Sequence, residues 1–308
     1  MSSSAQILTI DVEEYFQVNA FERHVGRSRW DEMPSRVAAS VDLLLERLAS
    51  YGSTATFFTL GWVAAKHPEV PRRIVAAGHE IAAHGWWHRR VPSLSKDQFR
   101  DEVRRTRDIL EDLTGTPCLG HRAPSFSLLP GHEWAYDVLI EEGYVYDSSV
   151  FPIRRRNYGN PAARTVPHVI EREFGRILEL PLATTRIAGV RCPGAGGAYL
   201  RLLPFGITRR TAREHAERGE AGTFYVHPWE VDPDQPRLPV PWLRRLRHYG
   251  RLERMLPRLE RLLGEFSFVS VRERYGDTLA AWADARPETP PAADGFSAPL
   301  SAAANVNA

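Results

Sequence analysis

His84 and His88, in the run His84-Gly85-Trp86-Trp87-His88, set two imidazoles four residues apart, close enough to bind one metal ion. The spacing needs support, because eleven histidines in 308 residues would produce about 0.4 such pairs by chance. The overlapping His79-Glu80 starts like the HExxH pattern of zinc proteases, but His84 falls one residue too late for it. Carboxylates follow the first apolar run, in Asp11-Val12-Glu13-Glu14. Acids at a strand end are costly to desolvate unless a cation or an arginine meets them. Three other segments end in groups that carry charge or protons: His121-Arg122-Ala123-Pro124, Tyr146-Asp147-Ser148-Ser149 and His227-Pro228-Trp229.

The elements that must position these groups alternate in type. Short apolar runs at 6–10, 54–60, 79–84, 118–122, 144–148, 177–182, 223–227 and 266–271 predict strands covered on both faces. Helical spacing joins Val37, Val41, Leu44, Leu45 and Leu48, with Gly52 as the stop. Ser95 and Gln98 form a capping-box pattern ahead of Phe99, Val103, Thr106, Leu110 and Leu113, and Gly115 ends that helix. Further helices are expected over 132–142 and, as one long Arg/Leu-rich element capping the fold, over 241–263. The fold class is therefore α/β: parallel strands with helical crossovers, in an open sheet or a (β/α) barrel. Such folds bind ligands at the carboxyl ends of their strands. Asp11, His84, Arg122, Asp147 and His227 all fall at strand ends, a coincidence that favours an active site.

Composition bounds the remaining possibilities. Hydrophobic and charged fractions of 43% and 25% are those of an ordinary globular protein. A net charge of +2 gives no field that argues for nucleic acid or for an anionic membrane. No stretch approaches a transmembrane span, the start of the chain is too short for a signal peptide, and Cys118 and Cys192 read as free thiols; a cytoplasmic protein is expected. Segments 153–176 and 191–204 interrupt the alternation as long loops, and 285–308 reads as a disordered tail after a single catalytic domain over 1–284.

Taken in order, Ile10-Asp11-Val12-Glu13, Thr54-Ala55-Thr56-Phe57-Phe58, Gly78-His79-Glu80-Ile81 leading into His84 and His88, Arg122-Ala123-Pro124, and Phe224-Tyr225-Val226-His227 resemble the NodB-like polysaccharide deacetylases, carbohydrate esterase family 4. The resemblance covers about residues 5–275. Gly196 to Pro204 and the stretch from His227 to Tyr249 further resemble a cytosolic branch associated with exosortase/PEP-CTERM exopolysaccharide loci, in which about 228–284 forms an extension packed on the barrel.

The resemblance implies a distorted (β/α) barrel that hydrolyses the N-acetyl group of a glycan with a divalent metal, Zn²⁺ by default and Co²⁺, Ni²⁺, Mn²⁺ or Fe²⁺ otherwise. It implies His84 and His88 as metal ligands, Asp11 as general base, Arg122 as its partner and His227 as general acid, with Asp147 holding His227 as imidazolium. The usual family form has two adjacent aspartates; here Val12 intervenes, so Glu13 is the expected third ligand and Glu14 the alternative. Tyr199 and Trp229 are expected to stack on sugar, with Gly196 and Gly197 in a substrate loop. Trp86 and Trp87 either do the same or brace the ligands between which they lie. A cytoplasmic location would imply a lipid-linked or nucleotide-linked precursor, or association with exopolysaccharide assembly machinery at the inner membrane. The alternatives are an amidohydrolase of the same fold acting on a small ureide or cyclic imide, an iron oxygenase, and an inactive glycan-binding module.

Overall fold

The computed structural model describes residues 5–155 and 158–284. Its strands are β1 (Gln6–Val12), β2 (Thr56–Thr59), β3 (Glu80–Ala83), β4 (Gly120–His121), β5 (Tyr146–Asp147), β6 (His168–Arg172), β7 (Gly175–Glu179), β8 (Thr184–Ile187), β9 (Val190–Pro193), β10 (Thr223–Val226) and β11 (Phe268–Val269). The helices are α1 (Val37–Ser50), α2 (Gly61–Lys66), α3 (Glu69–Ala76), α4 (Lys96–Thr114), α5 (Trp134–Glu141), α6 (Ala198–Leu202), α7 (Phe205–Glu217), α8 (Trp242–Tyr249), α9 (Met255–Glu265) and α10 (Val271–Asp284).

The main sheet runs β10-β1-β2-β3-β4-β5-β7-β6, parallel from β10 to β7, with helices in the crossovers. Only β6 is antiparallel, paired to β7 as a hairpin. Beyond β7 the chain continues until Leu182 forms a single parallel bridge to Thr223 of β10. The expected distorted barrel is therefore joined across that gap by one bridge rather than a full ladder.

Side-chain alternation divides inside from outside. Leu8, Ile10 and Val12 of β1 pack outward under the helices. Ile7 packs with Phe58, Ala82, Tyr146, Leu178 and Leu180 in a second core that α10 closes through Val271 and Leu279. Thr9 and Asp11 share the phase of Ile7 and so face the lumen. Glu80, the acid of the near-HExxH motif, is structural: it accepts from Thr56 and Tyr146 and from the backbone N–H of Arg272.

All eight expected strand segments are present, and α4 carries the expected capping box and a left-handed Gly115 at its end. Two expectations need correction. The helix expected over 241–263 is two helices, broken where Gly250 is extended and Arg251 takes φ 57°. A Cβ on Gly250 would lie 2.2 Å from the Leu246 carbonyl oxygen, and buried Arg201 binds the Gly250 carbonyl at 2.5 Å. Segments 153–176 and 191–204 are not plain loops, because β6 and part of β9 lie in them. Both cysteines are free, as expected. The expected tail over 285–308 lies outside the described residues.

Candidate active site

The phase of β1 carries past its end. Glu13, two residues beyond Asp11, points to the lumen mouth, where it meets His84 just beyond β3 and His88 in the following loop. These three buried side chains each offer a donor atom, all within 4.8 Å of one another. His88 Nε2 lies 2.7 Å from Glu13 Oε2, a buried oxygen with no hydrogen-bond partner. Each residue is also held from behind. His84 Nδ1 donates to the Arg122 carbonyl at 2.8 Å, which leaves Nε2 for the cluster. His88 Nδ1 lies 3.2 Å from Asn19 Oδ1, and Trp229 Nε1 donates to Glu13 Oε1 at 3.0 Å. His88 holds φ 51°, an unfavourable value for a residue with a Cβ. Two imidazoles, one carboxylate and an orienting partner for each form a donor set that fits Zn²⁺ or a similar divalent cation.

Burial lowers the His84 pKa to about 4 against the pull of Asp11, so its imidazole is neutral and able to ligate. Burial opposes ionisation of Glu13, but His88, His227 and His84 outweigh it and hold the carboxyl below the usual range.

Asp11 and His227 flank the cluster. Arg122, fully buried with its guanidinium 4.2 Å from the Phe58 ring centroid, donates from Nη1 to Asp11 Oδ1 and to Thr9 Oγ1, each at 2.7 Å. Its remaining nitrogens bind the Ser148 carbonyl and hydroxyl, so the guanidinium crosses the lumen and fixes Asp11 from beneath. The other Asp11 oxygen lies 3.9 Å from His227 Nε2, and Glu13 Oε1 lies 3.7 Å from the same nitrogen. His227 Nδ1 pairs with Glu230 Oε2 at 2.9 Å. Burial lowers the His227 pKa, but Glu230, Glu13 and Asp11 more than reverse this and raise it to about 9. A carboxylate anchored by arginine and a cationic imidazole thus stand beside a metal-competent cluster. That arrangement can take a proton from an attacking water and give one to a leaving group.

The structure brings Asp11, Glu13, His84, His88, Arg122 and His227 together and sets the other expected residues elsewhere. Asp147 does not reach His227. It has the opposite phase to lumen-facing Tyr146 and Ser148, and pairs outward with His121 Nδ1 at 2.8 Å. Glu14, opposite in phase to Glu13, accepts from the backbone N–H groups of Arg36 and Val37 and so caps α1. Trp229 is no sugar platform: it is buried, with its ring 4.1 Å from that of His248 and 5.0 Å from that of His227. Gly196 and Gly197 let the chain lie on Tyr225 of β10; a Cβ on Gly196 would meet the Tyr225 carbonyl oxygen at 1.9 Å. Tyr199 is half-buried, its hydroxyl 2.5 Å from that of Tyr158 and bound by Arg155. Trp86 braces, packed on Gly61 and under the Arg105 guanidinium, and Trp87 packs on Trp30.

Glu230 and Arg201 were not legible as site residues. Arg201 is fully buried and donates to Glu230 Oε1 at 2.8 Å, completing a relay from Arg201 to His227. A signal was present: a short 3-10 turn over Pro228–Val231 returns Glu230 to the His227 backbone N–H in the manner of a capping box.

Residues 27–130 match the polysaccharide deacetylase family model, and 148–275 match a domain of unknown function, DUF3473. A peptidoglycan-N-acetylglucosamine deacetylase of Bacillus cereus is 32% identical over 93 residues, which are 30% of this chain and 34% of that protein. A peptidoglycan deacetylase of Helicobacter pylori is 31% identical over 109 residues, 35% and 36% of the two chains. The match thus spans about a third of the length of these curated relatives. A crystal structure from Mycobacterium smegmatis, provisionally assigned as a polysaccharide deacetylase, has the same fold, with a TM-score of 0.62 and 20% identity over 91% of both chains. Residues 27–130 are thus similar in sequence to polysaccharide deacetylases, and the chain as a whole shares the fold of the Mycobacterium smegmatis structure.

Proposed function

We propose that this protein removes N-acetyl groups from an N-acetylhexosamine-containing poly- or oligosaccharide with a divalent metal, and that residues up to 284 work as one catalytic unit. The observation that carries the reading is the placement of Asp11, anchored by Arg122, and the cationic His227 next to Glu13, His84 and His88. The deacetylase names of the relatives support the same class of bond. A small ureide or cyclic imide substrate has no comparable support.

Glu13, His84 and His88 would hold the metal, which when bound supplies polarisation of the acetyl carbonyl and a water whose pKa falls toward about 7–9. Asp11 accepts the proton of the attacking water as the new C–O bond forms. Arg122 and Thr9 fix the position of the Asp11 carboxylate, so no reorganisation is needed at that moment. His227 protonates the amine nitrogen as the C–N bond breaks, and acetate and the free amino sugar leave. Glu230 keeps His227 aimed through Nδ1.

The finer reading places the reaction in exopolysaccharide biosynthesis of the exosortase-associated kind, in the cytoplasm beside the membrane-bound assembly machinery. The sequence pattern from His227 to Tyr249 supports it. Acetate release from N-acetylglucosamine oligomers, by protein stripped of metal and then titrated with Zn²⁺ or Co²⁺, tests the reaction. Activity should return with metal and vanish in Asp11→Asn. His227→Ala should keep its metal and lose about 10²–10⁴-fold in turnover. Ammonia without acetate, or unchanged turnover in His227→Ala, would overturn the assignment.

A further inference from the structure

Helix α8 has two dissimilar faces. Inward, His248 stacks on Trp229, the residue that orients Glu13, and Tyr249 packs on Phe21. Outward, Trp242, Leu243 and Leu246 are 70%, 61% and 58% exposed, and they are the three most exposed large apolar side chains of the described residues apart from Val190. Three such residues within five positions cost solubility and do nothing for the core.

The charge around them is equally lopsided. Residues 237–251 contain Arg237, Arg244, Arg245, Arg247 and Arg251 and no acidic residue. Among the described residues none of the five has a carboxylate within ion-pair distance, although arginines elsewhere on this surface are commonly paired, as Arg209 is with Glu265 and Arg36 with Asp232. Arg244 and Arg251 bind only backbone carbonyls, and Arg247 reaches the Tyr158 hydroxyl. A Trp/Leu tip set among unpaired arginines is the chemistry of a helix lying in a bilayer interface, with the apolar groups among acyl chains and the guanidinium groups at the phosphates.

We propose that the outer face of α8 docks the protein on an anionic lipid surface. A soluble polyanion would use the arginines but leave Trp242, Leu243 and Leu246 in water; a second copy of this chain would bring five like charges against five. Docking would bring the cluster near the membrane, because only Trp229 separates His248 of α8 from Glu13. This deepens the glycan deacetylase reading, on which it rests for its biological sense, by favouring a substrate presented at the bilayer; the lipid binding itself is independent of catalysis.

The test is sedimentation of the full chain with vesicles of phosphatidylcholine alone and of equimolar phosphatidylcholine and phosphatidylglycerol, beside acetate release from soluble oligomers. Binding should require phosphatidylglycerol and weaken with salt. Arg245→Gln with Arg247→Gln should weaken it by about 30-fold. Trp242→Ser, Leu243→Ser and Leu246→Ser together should weaken it at least about 10-fold while circular dichroism and acetate release stay unchanged. Asp11→Asn should bind vesicles like the wild type. Absent or lipid-independent sedimentation, vesicle binding that survives the triple substitution at full strength, or a dimer that the triple substitution dissociates would each overturn the inference and leave the catalytic reading standing. Vesicle binding without acetate release would do the reverse.

Discussion

Glu13 and Glu14 are chemically alike and adjacent, yet one faces a metal-competent cluster and the other caps a helix. Strand phase decides between them, because successive side chains leave a strand on opposite sides. The same rule separates Ser148, which binds Arg122 in the lumen, from Asp147, which pairs with His121 outside it. The group that holds His227 is therefore Glu230, a neighbour through a local turn. Replacing it isolates its role. In the metal-free protein the folded His227 pKa of about 9 lies above its ordinary 6.5. The charged imidazole thus contributes stability fully present below pH 6.5 and lost as pH rises through about 9. Burial alone would depress that pKa, so Glu230→Gln should narrow this window from the alkaline side. It should also move the alkaline limb of kcat to lower pH and cut turnover about 10–100-fold with metal affinity retained. A pH–rate profile and a metal titration of the purified variant read both; an unshifted limb would remove Glu230 from the relay.

Strands here act less as a scaffold of fixed length than as a set of phases joined by close approaches. The loop carrying Gly196 and Gly197 lies directly on β10, through the Gly196 bridge to Tyr225 and a Gly197 N–H bond to the Tyr225 carbonyl at 2.9 Å. Gly196 combines φ 130° with a site where a methyl group would sit inside the Tyr225 carbonyl. Gly196→Ala should therefore destabilise by more than about 2 kcal/mol in urea unfolding. Gly206, in the first turn of α7 with nothing within 4 Å of a Cβ, is the control. Gly206→Ala should be neutral or stabilising by up to about 1 kcal/mol. Two glycines in one segment thus report opposite things about backbone freedom.

At the scale of the molecule, the lumen concentrates charge that must be compensated. Arg122, Asp11, Arg201 and Glu230 are all buried, and removing one partner of such a pair strands the other, at a cost of about 3–5 kcal/mol. Glu13, His84 and His88 converge as a buried donor set, so a bound divalent cation should stabilise the whole fold. With Zn²⁺ at about 100 times its Kd the gain is about 2.7 kcal/mol, or roughly 4–6 °C in Tm for a chain of this size. Thermal unfolding with and without chelator should show that shift in the wild type and lose it in Glu13→Gln. No helix of the described residues is long and apolar enough to cross a membrane.

The order of apolar runs was enough to place eight strands, and with them the ends at which Asp11, His84, Arg122 and His227 stand, because hydrophobic pattern and strand position are both local. The capping box of α4 and its glycine stop were legible for the same reason. What lay beyond the sequence was partnership between segments distant in the chain or opposed in phase. Nothing local to Trp229 says that its indole bonds Glu13 instead of meeting a sugar, or that His248 stacks behind it. Nothing local to Arg201 tells that it lies buried against Glu230, or that it binds the carbonyl at which the 241–263 helix breaks. Composition and periodicity record which residues leave water; only the closed tertiary structure decides which buried charge each of them must answer.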